Sequence, residues 1–507
     1  MPTTRSRRKP SPPDAALAPP PHTPADPVTA PPFALPEELQ RVRGSVRIPE
    51  LRNVPLTDRV AEIIDHPAFQ RLRMVRQLGP TCLVYPGAVH TRFEHSLGVF
   101  DLARQYLLAL LRFPEVAESL TRDDLVTALL GALLHDLGHY PFAHSLEALH
   151  HKGRDTPRHE DLSGRILRGE IPALRGERPI ADIIRDRFGI DPEEVIALIT
   201  RSSRSHERAE RRLVASVLSS GIDADKSDYL ERDSIHMGVS YGRNYDRARL
   251  LESLCPNLDG DRIAVTAKGR VSCEMFVFCR YTMFSEAYWH HTVRSVSAMM
   301  ERAMADIHER EAPDTEDLAR EMLARSDDAL LDWFLDRAPE GSPTARLLAR
   351  FRTGQRHLHK RLLTLSRVVA DERRVTAYER IYHLDRSAFL ALEELLRDRV
   401  SAWIGAPVAA EDLLIDTPPR DKDRIETVDV VYDTPEGRRS YRLEEQSKVV
   451  QGIATDFIKV VKKIRVFAAP AVRDALRRHR SDDEVREGLL DCILAFTPTP
   501  TPQQSLL

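Results

Sequence analysis

Three histidines and an aspartate fall within ten residues of one apolar stretch, Leu133-Leu-His-Asp-Leu-Gly-His-Tyr-Pro-Phe-Ala-His144. A buried carboxylate beside a buried imidazole is costly unless a counter-charge neutralises it, and a divalent cation does so. His135 and His139 are four apart, so they share a face if the helix continues through Gly138. Any one of these histidines alone reads better as a hydrogen-bonded core residue. The adjacent His135-Asp136 pair at the end of an apolar helix has little packing rationale, and the cluster therefore points to a metal. Two further stretches supply ligands. Arg92-Phe-Glu-His95 opens an apolar helix, and Asp223-Ala-Asp-Lys-Ser-Asp-Tyr229 is an acidic turn leading into another. Two imidazoles with two carboxylates suit one borderline or hard divalent ion: Mn, Fe, Mg, Ni or Zn. Four protein ligands on an octahedral ion leave positions for a water and a phosphate oxygen, which permits metal-assisted phosphoester hydrolysis.

The elements that must hold these residues are mainly helical. Val60 to Leu78 carries apolar residues at three-to-four spacing, and His95–Phe113 and Asp123–Asp136 are apolar all round, as buried core helices are. Asp191-Pro192 is a cap followed by a first-turn proline, which starts a helical segment expected to run to about Ser219. Ser272 to about Ser401 also reads as helices. Thr427–Tyr432 alternates apolar and polar residues, a Pro-Glu-Gly turn follows, and Arg439–Leu443 returns as a hairpin. A helix near Ile453–Lys463 and the short apolar run Ile464–Ala468 complete a small α+β unit.

Length and composition bound the function. The 507 residues are 42% hydrophobic and 30% charged, so most of the chain packs, in about two to four units. No apolar run approaches the roughly 18 residues of a membrane span, so no membrane partner is expected. A net charge of -3 speaks against a non-specific coat for DNA. Five scattered cysteines without CxxC spacing (Cys82, Cys255, Cys273, Cys279, Cys492) predict a reducing compartment, here the bacterial cytoplasm. Only 10 of the 74 basic residues are Lys; the excess of Arg is mostly compositional, although forked donors suit phosphate. Residues 1–36 hold twelve prolines and read as a disordered tail, as do residues 497–507.

The order His95, His135-Asp136, Asp225 resembles the HD-domain metal phosphohydrolases. The surrounding motifs narrow the resemblance: Ile64-Asp-His-Pro-Ala-Phe-Gln-Arg-Leu-Arg73, Arg76-Gln-Leu-Gly79, Tyr85-Pro-Gly-Ala88, Arg92-Phe-Glu-His-Ser-Leu-Gly98 and Asp225-Lys-Ser-Asp-Tyr229. Together they look like the deoxynucleoside triphosphate triphosphohydrolases, in particular the branch with SAM and HD domains, from about residue 45 to 470 and thinly after 300. The implied architecture is mainly α: an HD core over 37–300, a helical extension over 301–400 and a small α+β subdomain over 401–496. The SAM domain's place is taken here by the Pro-rich stretch.

The resemblance implies residue roles. His95, His135, Asp136 and Asp225 bind the metal, with Asp223 and Asp228 as rivals for the fourth place. A dNTP is cleaved at its α-phosphorus, releasing deoxynucleoside and triphosphate, with Mg expected on the nucleotide as well. His139, His144, His159 and Glu160 match the reacting centre, an imidazole being suited to general acid work. Arg92, Lys226, Tyr229 and Arg280 match phosphate contacts. Gln77, Leu78 and Asp233 match positions near the 3′-hydroxyl. Tyr288 matches an aromatic against the sugar that excludes a 2′-hydroxyl, with His290 nearby and Phe284 where a relative has His. Asp65, Gln70 and Arg73, with Arg356 and Lys360 on one helical face, match a GTP or dNTP activator site between subunits of a homodimer or homotetramer. The second activator site departs, with Cys255 and Thr266 where arginines are expected and Lys268 kept. Two competing readings use the same motifs: a phosphodiesterase or nuclease on single-stranded nucleic acid, and a nucleotide sensor without turnover. The basic stretch Arg346–Arg374 lacks the interleaved aromatics that a nucleic-acid platform needs.

Overall fold

The computed structural model describes residues 33–498 except 41–43, 50–51, 143–156, 204–206, 312–314, 353–357, 369–370 and 419–427. The chain is mainly helical, with three small sheets among the described residues. An N-terminal hairpin, β1 (Gly44–Ile48) and β2 (Arg52–Leu56), precedes the helical core. That core is built from α1 (Arg92–Leu110), α2 (Arg122–Leu134), α3 (His159–Leu167), α4 (Pro192–Thr200) and α5 (Ala224–Met237). α1 packs against both α2 and α5, and α4 against α2 and α3. α2 is buried from Asp124 to Leu134 except at the half-buried Thr127, as its largely apolar sequence requires.

Prolines and caps fix where helices end. His66 takes an extended backbone before Pro67, so the expected Val60–Leu78 helix divides into Asp58–Ile64 and Pro67–Gln70. Asp191 caps α4 by accepting from the Glu193 N–H at 3.1 Å. α4 stops at Thr200 rather than near Ser219, because Arg201 turns left-handed at φ 52°; a separate helix follows at Ala209–Ser216.

After α5 come β3 (Leu254–Pro256), β4 (Ile263–Thr266), α6 (Arg270–Thr282), a π-helical turn (Met283–Tyr288), α7 (His291–Glu311) and α8 (Asp327–Arg337). The expected hairpin forms as β7 (Asp429–Thr434) and β8 (Gly437–Arg442), with Gly437 at φ 118° in the turn. It joins the larger core rather than the C-terminal unit: β7 runs parallel to β4, Val430 opposite Val265, and Val428, Val430, Leu443 and Ile453 are buried with the HD helices.

A second core starts at Leu363, well before residue 401. It contains β5 (Lys360–Leu365), Glu372–His383, Arg386–Ile404, β6 (Leu413–Asp416), β9 (Ile464–Ala468) and the two C-terminal helices. β9 lies between β5 and β6, antiparallel to both. β5 falls in the stretch read as helical. Leu363 and Leu365, two apart, both bury against the sheet, a strand period hidden by the helices on either side. Lys360 therefore begins a strand and shares no helical face with Arg356, which lies outside the described residues.

No helix among the described residues is long and apolar enough to cross a membrane. All five cysteines are free thiols.

Candidate metal centre

α1 delivers His95 one turn from its N-terminus. α2 begins with a Thr121–Asp124 capping box and ends at Leu134, so His135 is its C-cap residue and Asp136 lies beyond it. The helix does not continue through Gly138, contrary to the spacing argument: residues 135–138 form a turn. Glycine is required there. A Cβ on Gly138 would lie 2.1 Å from the His159 carbonyl oxygen and 2.5 Å from the Ser163 nitrogen. The close approach is fixed by the Gly138 N–H, which donates to Ser163 Oγ at 2.8 Å. The N-terminus of α3 is thereby seated on the His135–His139 turn. His139 stacks on His159 with ring centroids 3.8 Å apart and planes at 15°, and Glu160 lies 3.4 Å from His159 Nδ1. His144 lies outside the described residues.

His95, His135 and Asp225 converge, each offering a ligand atom within 4.8 Å of the others. His95 Nε2 is 3.1 Å from Asp225 Oδ1 and 3.7 Å from Asp136 Oδ2; His135 Nε2 is 3.3 Å from Asp136 Oδ1 and 3.8 Å from Asp225 Oδ1. The two rival carboxylates point elsewhere. Asp223 is fully buried as the cap of α5, accepting from the Lys226 N–H and pairing with Lys226 Nζ, both at 2.7 Å. Asp228 faces the opposite nitrogen of His95, Nδ1, at 2.9 Å. Asp136 is shared: Arg92 Nη1 donates to its Oδ2 at 2.6 Å and His139 Nε2 lies 3.1 Å from its Oδ1.

A divalent cation fits this donor set. His135 Nε2 is buried without a hydrogen bond among the described residues, and two imidazoles with two carboxylates match the ligand preferences of borderline and hard ions. The local field asks for positive charge. Burial opposes it, yet Asp225, Asp228 and Asp136 raise His95 to about 10, and Asp136 and Asp225 also raise His135 against burial. Asp136 is held well below the usual carboxylate range, burial being overcome by Arg92, His135 and His139.

Around the cluster, cationic donors lack acceptors. Arg92 is 1% exposed, and its Nε and Nη2 have no hydrogen-bond partner among the described residues; the same holds for Arg280 Nε and Nη1. Tyr229 and Tyr288 meet edge to face at 6.4 Å, and the Tyr288 hydroxyl donates to Asp233 Oδ2 at 2.5 Å. Gln77 and Leu78 are buried, with the Gln77 N–H donating to the His90 carbonyl at 3.0 Å. His290 tilts against His291 at 4.2 Å, and burial, with the charges of Arg465 and Arg361, lowers its pKa. Asp65 ends the Asp58–Ile64 helix. Arg73 Nε donates to Gln70 Oε1 at 2.7 Å and its guanidinium lies 3.6 Å over the Phe93 ring.

Several polar residues that motif reading passed over are built into the site. His90, 4% exposed, meets Asp233 Oδ1 through Nε2 at 2.8 Å and stacks on His236 at 4.3 Å. Arg71 donates to the carbonyls of Leu137 and His139 at 2.7 and 2.9 Å, holding the HD turn from below. Asp327, at the start of α8, accepts from the Arg76 N–H at 2.7 Å and the Phe142 N–H at 2.8 Å. His90 and His236 carried a signal, as they lie within five residues of His95 and Asp233, and Arg71 lies inside the Ile64–Arg73 motif.

Residues 92–233 match the HD domain, and residues 245–483 match the HD associated region. An uncharacterized protein of Methanocaldococcus jannaschii is 30% identical over 451 residues, covering 89% of this chain and 83% of that protein. The deoxynucleoside triphosphate triphosphohydrolase SAMHD1 homolog of Dictyostelium discoideum is 30% identical over 313 residues, 61% of this chain and 58% of its own length. The chain thus spans about half the length of that curated relative. A phosphohydrolase of Bacteroides thetaiotaomicron VPI-5482 shares the fold, with a TM-score of 0.60 at 20% identity over 84% of this chain and all of that one. With its HD domain and HD associated region in tandem, this chain belongs to the HD-domain family.

Proposed function

We propose that the protein is a metal-dependent dNTP triphosphohydrolase that releases deoxynucleoside and inorganic triphosphate and so lowers dNTP pools. The observation that carries this reading is Arg92. It is buried beside the His95–His135–Asp225 cluster with one nitrogen on Asp136 and two with no acceptor among the described residues, as an anion-binding guanidinium should be. Arg280 repeats the pattern from α6. Both, with Lys226 and Tyr229, are assigned to the triphosphate.

His95, His135, Asp136 and Asp225 would hold the ion. When bound, it supplies Lewis acidity to a phosphoryl oxygen and lowers the pKa of a water. The proton needed by the leaving 5′-oxygen comes from the stacked pair His139 and His159, each beside a carboxylate, Asp136 or Glu160. His144 is assigned to the same chemistry. The sugar lies between Gln77–Leu78 and the Asp233–Tyr288 pair, with the Tyr288 ring excluding a 2′-hydroxyl. His290 is assigned to the same sugar contact set. Asp65, Gln70 and Arg73 are assigned to a nucleotide activator, with Lys360 and Arg356 contributed from elsewhere in a homo-oligomer.

The test uses metal-reconstituted protein with each dNTP and with labelled single-stranded DNA, products being resolved by anion exchange. Triphosphate plus deoxynucleoside supports the proposal. Shortened strands or mononucleotides point to a nuclease, and no turnover with any of the five metals points to a sensor. His135→Ala combined with Asp136→Ala should abolish both metal binding and turnover.

A further inference from the structure

The two ring nitrogens of His95 face different partners. Nε2 looks toward Asp225 and Asp136, whereas Nδ1 lies 2.9 Å from Asp228 Oδ2. An ionised carboxylate only accepts, so Nδ1 keeps its proton, and Nε2 is the nitrogen whose lone pair faces the cluster once the imidazolium gives up its other proton.

Asp228 is itself gripped from two sides. Arg232 donates Nε to Oδ2 at 2.7 Å and Nη2 to Oδ1 at 2.8 Å, a two-pronged contact, and Arg52 donates to Oδ1. The remaining Arg232 nitrogen, Nη1, donates to Glu94 Oε1, which also meets His236 Nε2 at 3.1 Å. Two carboxylates thus face two guanidiniums, and the charge of Asp228 is balanced within this group. That distinguishes it from Asp225, whose nearest cationic partners are the two cluster imidazoles. Space for the grip depends on Gly98, where a Cβ would lie 2.0 Å from Asp228 Oδ1 and 2.3 Å from Arg232 Nη2. Arg52 comes from β2, upstream of the residues that match the HD domain.

We infer that Asp228, clamped by Arg232 of α5 and by Arg52 of the N-terminal hairpin, is a positioning residue that fixes the tautomer and orientation of His95. The hairpin is thereby part of the metal site's support. This rests on the reading of His95 as a metal ligand. Partners of this kind, hydrogen-bonded to a ligating histidine, typically account for 10–100-fold in metal affinity.

The experiment strips the full chain with chelator and titrates it with Mn(II) alone, free Mn(II) being read by its aqueous EPR signal. Folding of each metal-free variant is checked by circular dichroism and thermal melting. Asp228→Asn should weaken Mn(II) binding roughly 10–100-fold, and Arg52→Gln, which keeps the carboxylate but loosens it, by a smaller factor in the same direction. His95→Ala reports on the underlying reading: if it binds Mn(II) as wild type does, His95 is not a ligand and that reading fails. If His95→Ala loses the ion while folded Asp228→Asn stays within twofold of wild type, the positioning role is overturned. Should Asp228→Asn not fold, a folded Arg52→Gln variant with wild-type affinity overturns the clamp instead.

Discussion

His139 and His159 lie face to face, 3.8 Å between ring centroids, one from the turn after α2 and the other from the first residue of α3. Each has a separate carboxylate at hand, Asp136 at 3.1 Å from His139 and Glu160 at 3.4 Å from His159. The pair brings two candidate proton carriers to one side of the metal cluster, only one of which shares a carboxylate with it.

That asymmetry separates proton transfer from metal binding. His159→Gln should lower kcat by roughly 10²–10⁴, the usual worth of general acid catalysis, while the Mn(II) affinity stays within about threefold of wild type. Single-turnover kinetics beside a metal titration reads both. A parallel loss of metal would show that His159 supports the ligands rather than the reaction.

Gly138→Ala adds one methyl group where 2.1 Å separates it from the His159 carbonyl. The backbone of α3 has to move, so a stability loss of about 1–3 kcal/mol is expected, as for other overpacked sites. Turnover should fall further than stability does, because the displaced group is His159 itself. Urea denaturation and kcat on the same preparation compare the two.

Without metal, the cluster makes stability depend on pH with a definite sign. His95 has its pKa raised to about 10 in the fold, against about 6.5 in an unfolded chain. The proton it keeps stabilises the native state fully below about pH 6.5, and this contribution fades as pH rises toward 10. His135, also raised, acts in the same direction. Chelated protein should therefore lose up to about 1.4 kcal/mol per pH unit between pH 7 and 9.5 for the His95 proton. Saturating metal replaces the protons and should flatten the slope. An equally steep slope in the metal-loaded protein contradicts the assignment.

Tyr288 offers a test of sugar choice. Tyr288→Phe keeps the ring and removes the hydroxyl that Asp233 accepts at 2.5 Å, so discrimination against ribonucleotides should persist while KM for dNTPs rises several-fold. Tyr288→Ala removes the ring, and turnover of rNTPs relative to dNTPs should increase. Competition between dATP and ATP measures both variants; unchanged discrimination in Tyr288→Ala locates the 2′-hydroxyl elsewhere.

The sequence was most informative where chemistry is local. Asp191-Pro192 and the Pro-Glu-Gly turn describe their own neighbourhoods, and both the α4 start and the β7–β8 hairpin lie where those residues put them. The His135-Asp136 pair was conspicuous because an apolar helix gives it no other reason to exist. What stayed hidden depends on distant partners. β5 reads as a strand only once β9, about a hundred residues later, pairs with it. The choice among Asp223, Asp225 and Asp228 needed the helix phase of α5 and the position of α1. The turn at Gly138 could not be separated from a continuing helix, since its cause, the His159 carbonyl, lies across space.

The Asp327 clamp has a consequence for how the chain becomes competent during synthesis. Phe142, held at φ 56°, receives its carboxylate partner from a residue 185 positions downstream. At about 5–20 residues per second, a ribosome supplies that partner roughly 10–40 s after the turn itself. The ligands His95, His135 and Asp225 all precede it. A nascent chain halted after α5 thus owns every proposed metal ligand yet lacks the group that pins the segment following His139. The HD associated region is a late-arriving keystone for the site, and the order of translation separates having the ligands from having the finished centre.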